Sequence, residues 1–157
     1  MFELTILRCG NGIGFPLTHE VDIWHNFVND LCVQAVKHRE LIIKSPPNIE
    51  RNFVTLEDFC RAFYFFGIER LNSTGHRVFN LGSKMSRTLL EMAELIASQT
   101  QSLFGFRPTI RLESEPSRHE TRLVYDSRRL ETTGFQLNES FEKEISGILR
   151  FVSETNV

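Results

Sequence analysis

Charge of one sign is missing from this sequence: 18 Lys and Arg stand against 20 Asp and Glu, leaving a net charge of −2 over 157 residues. That balance gives no general affinity for polyanions and sets nucleic acid aside as a partner. Long apolar runs are missing too. No stretch approaches the ~20 residues that span a bilayer, and the start MFELTILRCG has neither the charged nor the apolar region of a signal peptide. No membrane partner is expected, and a cytoplasmic protein is. Cysteine is scarce: Cys9, Cys32 and Cys60 are odd in number, far apart and without a Cys-x-x-Cys spacing, which suggests neither a disulfide framework nor a zinc site. All three are read as packing residues. His19, His25, His38, His76 and His119 show no metal spacing, and no phosphate-binding P-loop, nucleophile elbow or His-Glu-x-x-His occurs.

What remains has the composition of an ordinary globular protein, 41% hydrophobic and 24% charged. At this length a chain buries roughly 70% of its unfolded surface, so a single domain over 1–157 is expected. The aromatic residues are skewed, with 14 Phe against 2 Tyr and 1 Trp. Several cluster between Phe53 and Phe66, and something large must cover them.

Along the chain, Leu4 to Leu7 reads as a short buried strand, stopped by the glycine-rich stretch Cys9 to Pro16, where Gly10, Gly12 and Gly14 allow turns or close backbone approach. Ile23, Phe27 and Leu31 recur at helical spacing and predict an amphipathic helix to Val36. Leu41 to Ser45 and Arg51 to Thr55 read as strands, and Leu56 to Ile68, apolar on almost every side, as a helix buried between two layers. Val78 to Leu81 is a strand. Thr88-Leu-Leu-Glu91 is a capping-box pattern opening a helix to about Leu103. A strand at Thr109 to Leu112, a short helix near Ser127 to Glu131 and a last helix near Phe141 to Val152 complete an α/β alternation with some parallel pairing.

Read singly, the polar residues admit ordinary roles. Glu57 and Asp58 suit the first turn of a helix, where acids meet the dipole, and successive positions do not face each other as an acid pair. Asn26 suits a helix N-cap, whose free N–H groups bind water or phosphate. Arg118, His119, Glu120 and Arg122 suit a solvated charged loop. Arg51 differs, because neither strand nor helix formation asks for an arginine there; it is a surface arginine or a holder of something negative.

The order of the pieces adds a resemblance. LRCGNGIG resembles the L-R-x-x-N-x-x-G segment of the extended short-chain dehydrogenase/reductases, the nucleotide-sugar epimerases and dehydratases. HNFVNDLCVQAV resembles their next helix, and RNFVTLEDFCRAF their R-D-F-V-H-V-D-D-x-x-x-A. VFNLGS is similar to their Y-N-V-G strand, TLLEMAELIA to the helix after it, and SRHETRLVYDSRRLETTGFQL to their closing R-P-G-D/E-x-R region. Family order and spacing hold from Leu4 to Val152.

The resemblance implies the C-terminal, substrate-binding part of a Rossmann-type α/β enzyme: a small mixed sheet with helices, the cofactor domain missing. The glycine-rich turn that holds the NAD(P) pyrophosphate in that family and its Tyr-x-x-x-Lys pair do not occur here; Ile68 and Arg129 stand four residues after Tyr64 and Tyr125. No cofactor is expected on this chain itself, although NAD(P) serves the parent class, where it transiently oxidises a sugar carbon. A complete hydride-transfer site is not expected, and whether the chain is an enzyme is left open. It is read as a fragment, a truncated product or one piece of a split enzyme, or else as a stand-alone nucleotide-sugar-binding or subunit-interaction protein.

By resemblance the ligand is a nucleotide diphosphate sugar. Asn11 would touch the sugar or its phosphate, and Asn26 with the Phe27 amide would offer N-terminal donors to the pyrophosphate. Arg51 and Arg118 would clamp the diphosphate with their guanidinium forks, with Arg122 the next candidate, and Glu120 would accept from a ribose hydroxyl. Aligning Glu120 with the family's acid puts Ser117 at the clamp arginine's place, so Arg118 serves only after a one-residue shift of the loop. Asn52 and Thr55 stand where the family has Asp and His. Residues 1–15 and Phe59 to Phe66 would pack on the absent cofactor domain, which predicts a homo-oligomer or a partner chain covering the Phe-rich helix.

Overall fold

The computed structural model describes residues 4–18, 20–69, 77–118 and 122–155. In chain order it holds β1 (Ile6–Cys9), β2 (Asn11–Ile13), α1 (Phe27–His38), β3 (Glu40–Ile43), β4 (Glu50–Arg51), β5 (Phe53–Thr55), α2 (Leu56–Tyr64) and a π-helical turn (Phe65–Glu69). There follow β6 (Val78–Leu81), β7 (Arg87–Thr88), α3 (Leu89–Phe104), β8 (Thr109–Leu112), α4 (Arg128–Glu131) and α5 (Phe141–Glu154).

The strands pair as four short ladders, β1 with β6, β2 with β5 and β3 with β8 in parallel, and β4 with β7 antiparallel. β1 and β2 are one extended stretch that changes partner at Gly10. Gly10 N–H donates to the Leu81 carbonyl at 2.9 Å, and Asn11 N–H to the Asn52 carbonyl at 2.8 Å, handing the chain from β6 to β5. Of the two roles open to the glycine-rich segment, close backbone approach is the one seen at Gly10 and Gly14, where a Cβ would meet Asn52 and Leu56, and Asn11–Ile13 is strand.

Two apolar cores follow from the side-chain spacing. In α1, Val28, Leu31, Cys32 and Ala35 fall on one face, and α3 and α5 present Met92, Ile96, Ile145, Ile148 and Leu149 to it, with Leu41 and Ile43 of β3 closing the layer. Each of the buried Val, Leu, Ile and Met side chains contributes about 1.5–3 kcal/mol. The second core joins Val54, Ala62, Phe66, Phe79, Leu81, Leu130 and Phe135 around α2, β6 and α4.

The capping box at α3 is present in full: Glu91 N–H donates to Thr88 Oγ1 at 3.1 Å, and Thr88 N–H to Glu91 Oε2 at 2.7 Å. Gly105, at φ 76°, ends the same helix in the left-handed region.

Four expectations are corrected. α1 begins at Phe27 rather than Ile23, because Asn26 is its N-cap. The helix expected from Leu56 to Ile68 is α-helical to Tyr64 and continues as the π-helical turn Phe65–Glu69, but it is not buried on all sides: in α2 the buried residues are Asp58 and Ala62, while Phe63 is 54% exposed and Tyr64 59%. The strand expected as buried is open, with Leu4 72% exposed and Ile6 also exposed. Of the cysteines read as packing residues, Cys32 is buried, but Cys9 and Cys60 are exposed thiols.

Candidate functional site

The N-terminus of α1 carries the first element of a site. Asn26 has extended backbone angles (φ −68°, ψ 137°) and its side chain makes no capping hydrogen bond. The first N–H groups of any helix lack intrahelical partners, so those of Phe27 and Val28 point outward with the positive end of the dipole. A second element comes from the strand hand-over. Asn11 donates its backbone N–H (2.8 Å) and its side-chain Nδ2 (3.0 Å) to the Asn52 carbonyl, which leaves Asn11 Oδ1 as an acceptor facing outward. The third is Arg51 at the end of β4, exposed and without an ion pair among the described residues.

These elements converge. Asn11, Asn26, Phe27 and Arg51 line one cavity of about 290 Å³, together with Ser45 and, on its apolar side, Phe53 and Leu89. Ser45, just before the Pro46-Pro47 turn, is a lining residue that the sequence pattern did not single out. A second cavity of about 500 Å³ shares Gly12 and Asn26 with the first and is walled by Phe15, Leu17, Val21, Leu56 and Phe59. A polar chamber and an apolar one therefore meet at the N-terminus of α1.

Arg118 and Arg122 are exposed and lie outside the wall of either cavity. Glu120 falls outside the described residues. The flanks of the 118–122 segment are nonetheless fastened beside β4. Asn48 receives the Ser117 N–H at 2.7 Å and donates back to its carbonyl at 2.9 Å; Glu50 accepts the Leu123 N–H at 2.7 Å.

Glu57 and Asp58 belong elsewhere. Asp58, 1% exposed, accepts the N–H groups of Asn138 (2.9 Å to one oxygen) and Glu139 (2.9 Å) and pairs with Arg61 at 2.6 Å. It fastens α2 to the loop before α5, more than a first-turn acid does. Glu57 meets Lys143 at 2.7 Å, and hydrogen bonds from Lys143 and Asn138 hold its carboxyl below the usual carboxylate range. Beside it Glu144 accepts the Glu57 N–H at 3.3 Å, and burial pushes its carboxyl upward. Among the described residues no His, Cys, Asp and Glu group could hold a metal ion, and no helix is long and apolar enough to cross a membrane.

No family model matches the sequence, and no curated protein matches it. Solved structures do. A dTDP-glucose 4,6-dehydratase from Bacillus anthracis in complex with NAD superimposes with a TM-score of 0.69 at 15% identity, covering 97% of this chain and 45% of that one. For a UDP-glucose 4-epimerase from Thermotoga maritima with UDP-glucose, the TM-score is 0.68 at 18% identity over 96% of this chain and 46% of the other. A UDP-N-acetylglucosamine 4-epimerase from Bacillus cereus gives 0.69 at 19%, over 93% and 47%. The chain has the α/β fold found in these Rossmann-type nucleotide-sugar dehydratases and epimerases of the extended short-chain dehydrogenase/reductase type, and it spans about half the length of each.

Proposed function

We propose that this chain binds a nucleotide diphosphate sugar in the 290 Å³ cavity, as the substrate-binding part, over 1–157, of a NAD(P)-dependent epimerase or dehydratase. The observation that carries this reading is the convergence of Asn11, Asn26, Phe27 and Arg51 on that cavity. Each brings a distinct capacity. The open N-terminus of α1 supplies N–H donors and a positive dipole end to the diphosphate. Arg51 supplies a planar fork that matches phosphate oxygens. Asn11 Oδ1, its amide already engaged, is suited to a sugar hydroxyl. Arg118 and Arg122 ride on a segment tied beside β4, from which they reach a ligand that projects out of the cavity, and Glu120 accepts from a ribose hydroxyl in the same reading.

The residues present do not fit NAD(P) in the manner of a glycine-rich dinucleotide turn. Gly12 and its neighbours form β2, paired with β5, and no helix opens directly after them. No hydride step is therefore assigned to this chain. The exposed thiols of Cys9 and Cys60 suit the reducing cytoplasm, where we place the protein.

The test is a thermal-shift panel of UDP, dTDP, GDP and CDP with their sugar conjugates. At a ligand concentration 100 times Kd the folded state gains about 2.7 kcal/mol, roughly 5–10 °C in Tm for a chain of this size. Arg51→Ala is expected to abolish the shift, and a wild-type affinity in that variant would sink the reading. A second reading, a stand-alone binding or subunit-interaction protein, is favoured by the exposed Phe63, Tyr64 and Ile68. Nucleotide binding that never becomes coupled to NAD turnover when partner chains are supplied would select it.

A further inference from the structure

β4 and β7 pair antiparallel with Arg51 directly opposite Arg87. Residues opposed in this way put both side chains on one face with their Cβ atoms about 5 Å apart, and like charges so placed destabilise a ladder. Among the described residues the neighbouring acids are engaged elsewhere. Glu50, the neighbour of Arg51, receives the Leu123 N–H, and Glu91, close to Arg87, closes the capping box of α3. Neither guanidinium has an ion pair among the described residues; that of Arg87 lies over the Phe141 ring, 5.5 Å from its centroid. Two adjacent positive charges are thus held on a two-residue ladder whose one member, Arg51, lines the polar cavity.

We propose that Arg87 is the second cation of the phosphate site, acting with Arg51 across the β4–β7 ladder, so that the cavity selects a diphosphate over a monophosphate. The inference rests on the cavity being a nucleotide site. It places a second positive charge on the strand that faces Arg51; Arg87, like Arg118 and Arg122, stands outside the cavity wall, and what ties it to the site is its register with Arg51. An anion lying between the two guanidinium groups turns a destabilising juxtaposition into two charge-assisted contacts. Resting on Phe141 keeps the Arg87 plane ordered before the ligand arrives.

The test is calorimetric titration of the full chain with UDP and UMP, and with dTDP and dTMP, for wild type, Arg87→Gln, Arg87→Lys and Arg51→Gln. Gln keeps a planar end group for the Phe141 face and removes the charge. The expected result is a loss on the order of 10- to 100-fold for the diphosphates in Arg87→Gln, the range of a charge-assisted contact, with the monophosphates changed less than about 3-fold. Arg87→Lys recovers part of the loss, and ligand-free Arg87→Gln melts at or above the wild-type temperature because the repulsion is gone. Equal loss for mono- and diphosphates, no loss at all, or a lower ligand-free Tm with unchanged UDP affinity would each overturn the assignment while leaving the cavity reading intact if Arg51→Gln still abolishes binding. Failure of the wild-type chain to bind any diphosphate would overturn the cavity reading itself, and this inference with it.

Discussion

Asn52 stands where three extended segments meet. Its carbonyl takes both donors of Asn11, and its Nδ2 donates to the Ser83 carbonyl at 2.9 Å, so the residue beside Arg51 holds β2, β5 and the end of β6 together. Room for that side chain comes from two glycines. A Cβ on Gly82 would sit 2.0 Å from Asn52 Oδ1 and 2.7 Å from the Tyr125 ring, and one on Gly10 would sit 2.8 Å from the same oxygen. Tyr125 is itself pinned, its hydroxyl donating to the Arg8 carbonyl at 2.6 Å. Gly82→Ala is therefore an overpacking change with no flexible neighbour to yield, expected to cost about 1–3 kcal/mol. By thermal melting that is a drop of roughly 2–12 °C. A Tm within a degree of wild type would show that the junction relaxes and that Asn52 does not fix the position of Arg51.

Between elements, α2 is fastened to α5 by charged groups, and two of its acids respond to pH in opposite senses. Glu57 has its carboxyl lowered in the folded chain, chiefly by the hydrogen bond from Lys143. Its contribution is present above the ordinary carboxylate range and is lost as pH falls through the lowered value. Glu144 has its carboxyl raised by burial, so the folded chain holds that proton more tightly than the unfolded one. The resulting penalty is absent below the ordinary range and grows as pH rises through the raised value. Glu144→Gln keeps an oxygen to accept the Glu57 N–H. It is expected to raise Tm at pH 7 and to leave it unchanged near pH 3.5, where the native side chain is already protonated. An equal shift at both pH values would point to packing instead. At the other end of the fold, Thr88→Ala removes one half of the capping box and is expected to cost about 1 kcal/mol in denaturant unfolding.

The same elements show what a sequence reveals and what it withholds. The capping box, the strand Val78–Leu81 and the strand Thr109–Leu112 were legible because local chemistry decides each of them. The state of Leu56 to Ile68 was not. A run apolar on all sides reads as a buried helix, whereas here burial follows Asp58, Ala62 and Phe66, with Phe59 and Phe65 packed beside them, and Leu56, Phe63, Tyr64 and Ile68 are exposed. Asp58 was legible as an acid in a first turn but not as the anchor of the Asn138–Glu139 loop, because that contact spans 80 residues of sequence. The convergence of Asn11, Asn26, Phe27 and Arg51 followed the family-like order of the segments. Arg87 was hidden, since only the β4–β7 register sets it against Arg51.

At the scale of the whole molecule, the two cores are unequally closed. The first is enclosed by α1, α3 and α5, whereas the second is flanked by β1 and α2, both of which turn apolar side chains outward. Leu7 and Phe59 pack against this second core from one side, and Leu4, Phe63, Tyr64 and Ile68 lie exposed on the same elements or just beyond them. Aromatic area of this kind dominates interface energetics when it is removed from water, so we expect the chain to cover it, with a second copy in the absence of a partner. Light scattering over rising concentration should show the average mass climbing from 18.2 kDa toward twice that value. Phe63→Asp should hold it at the monomer. Because Phe63 is more than half exposed and its ring contact is with Phe59, 4.7 Å between centroids, the substitution should cost the fold no more than about 1.5 kcal/mol. Wild-type chain that stays monomeric at millimolar concentration, with the same profile as Phe63→Asp, would mean that this face does not hold two copies together.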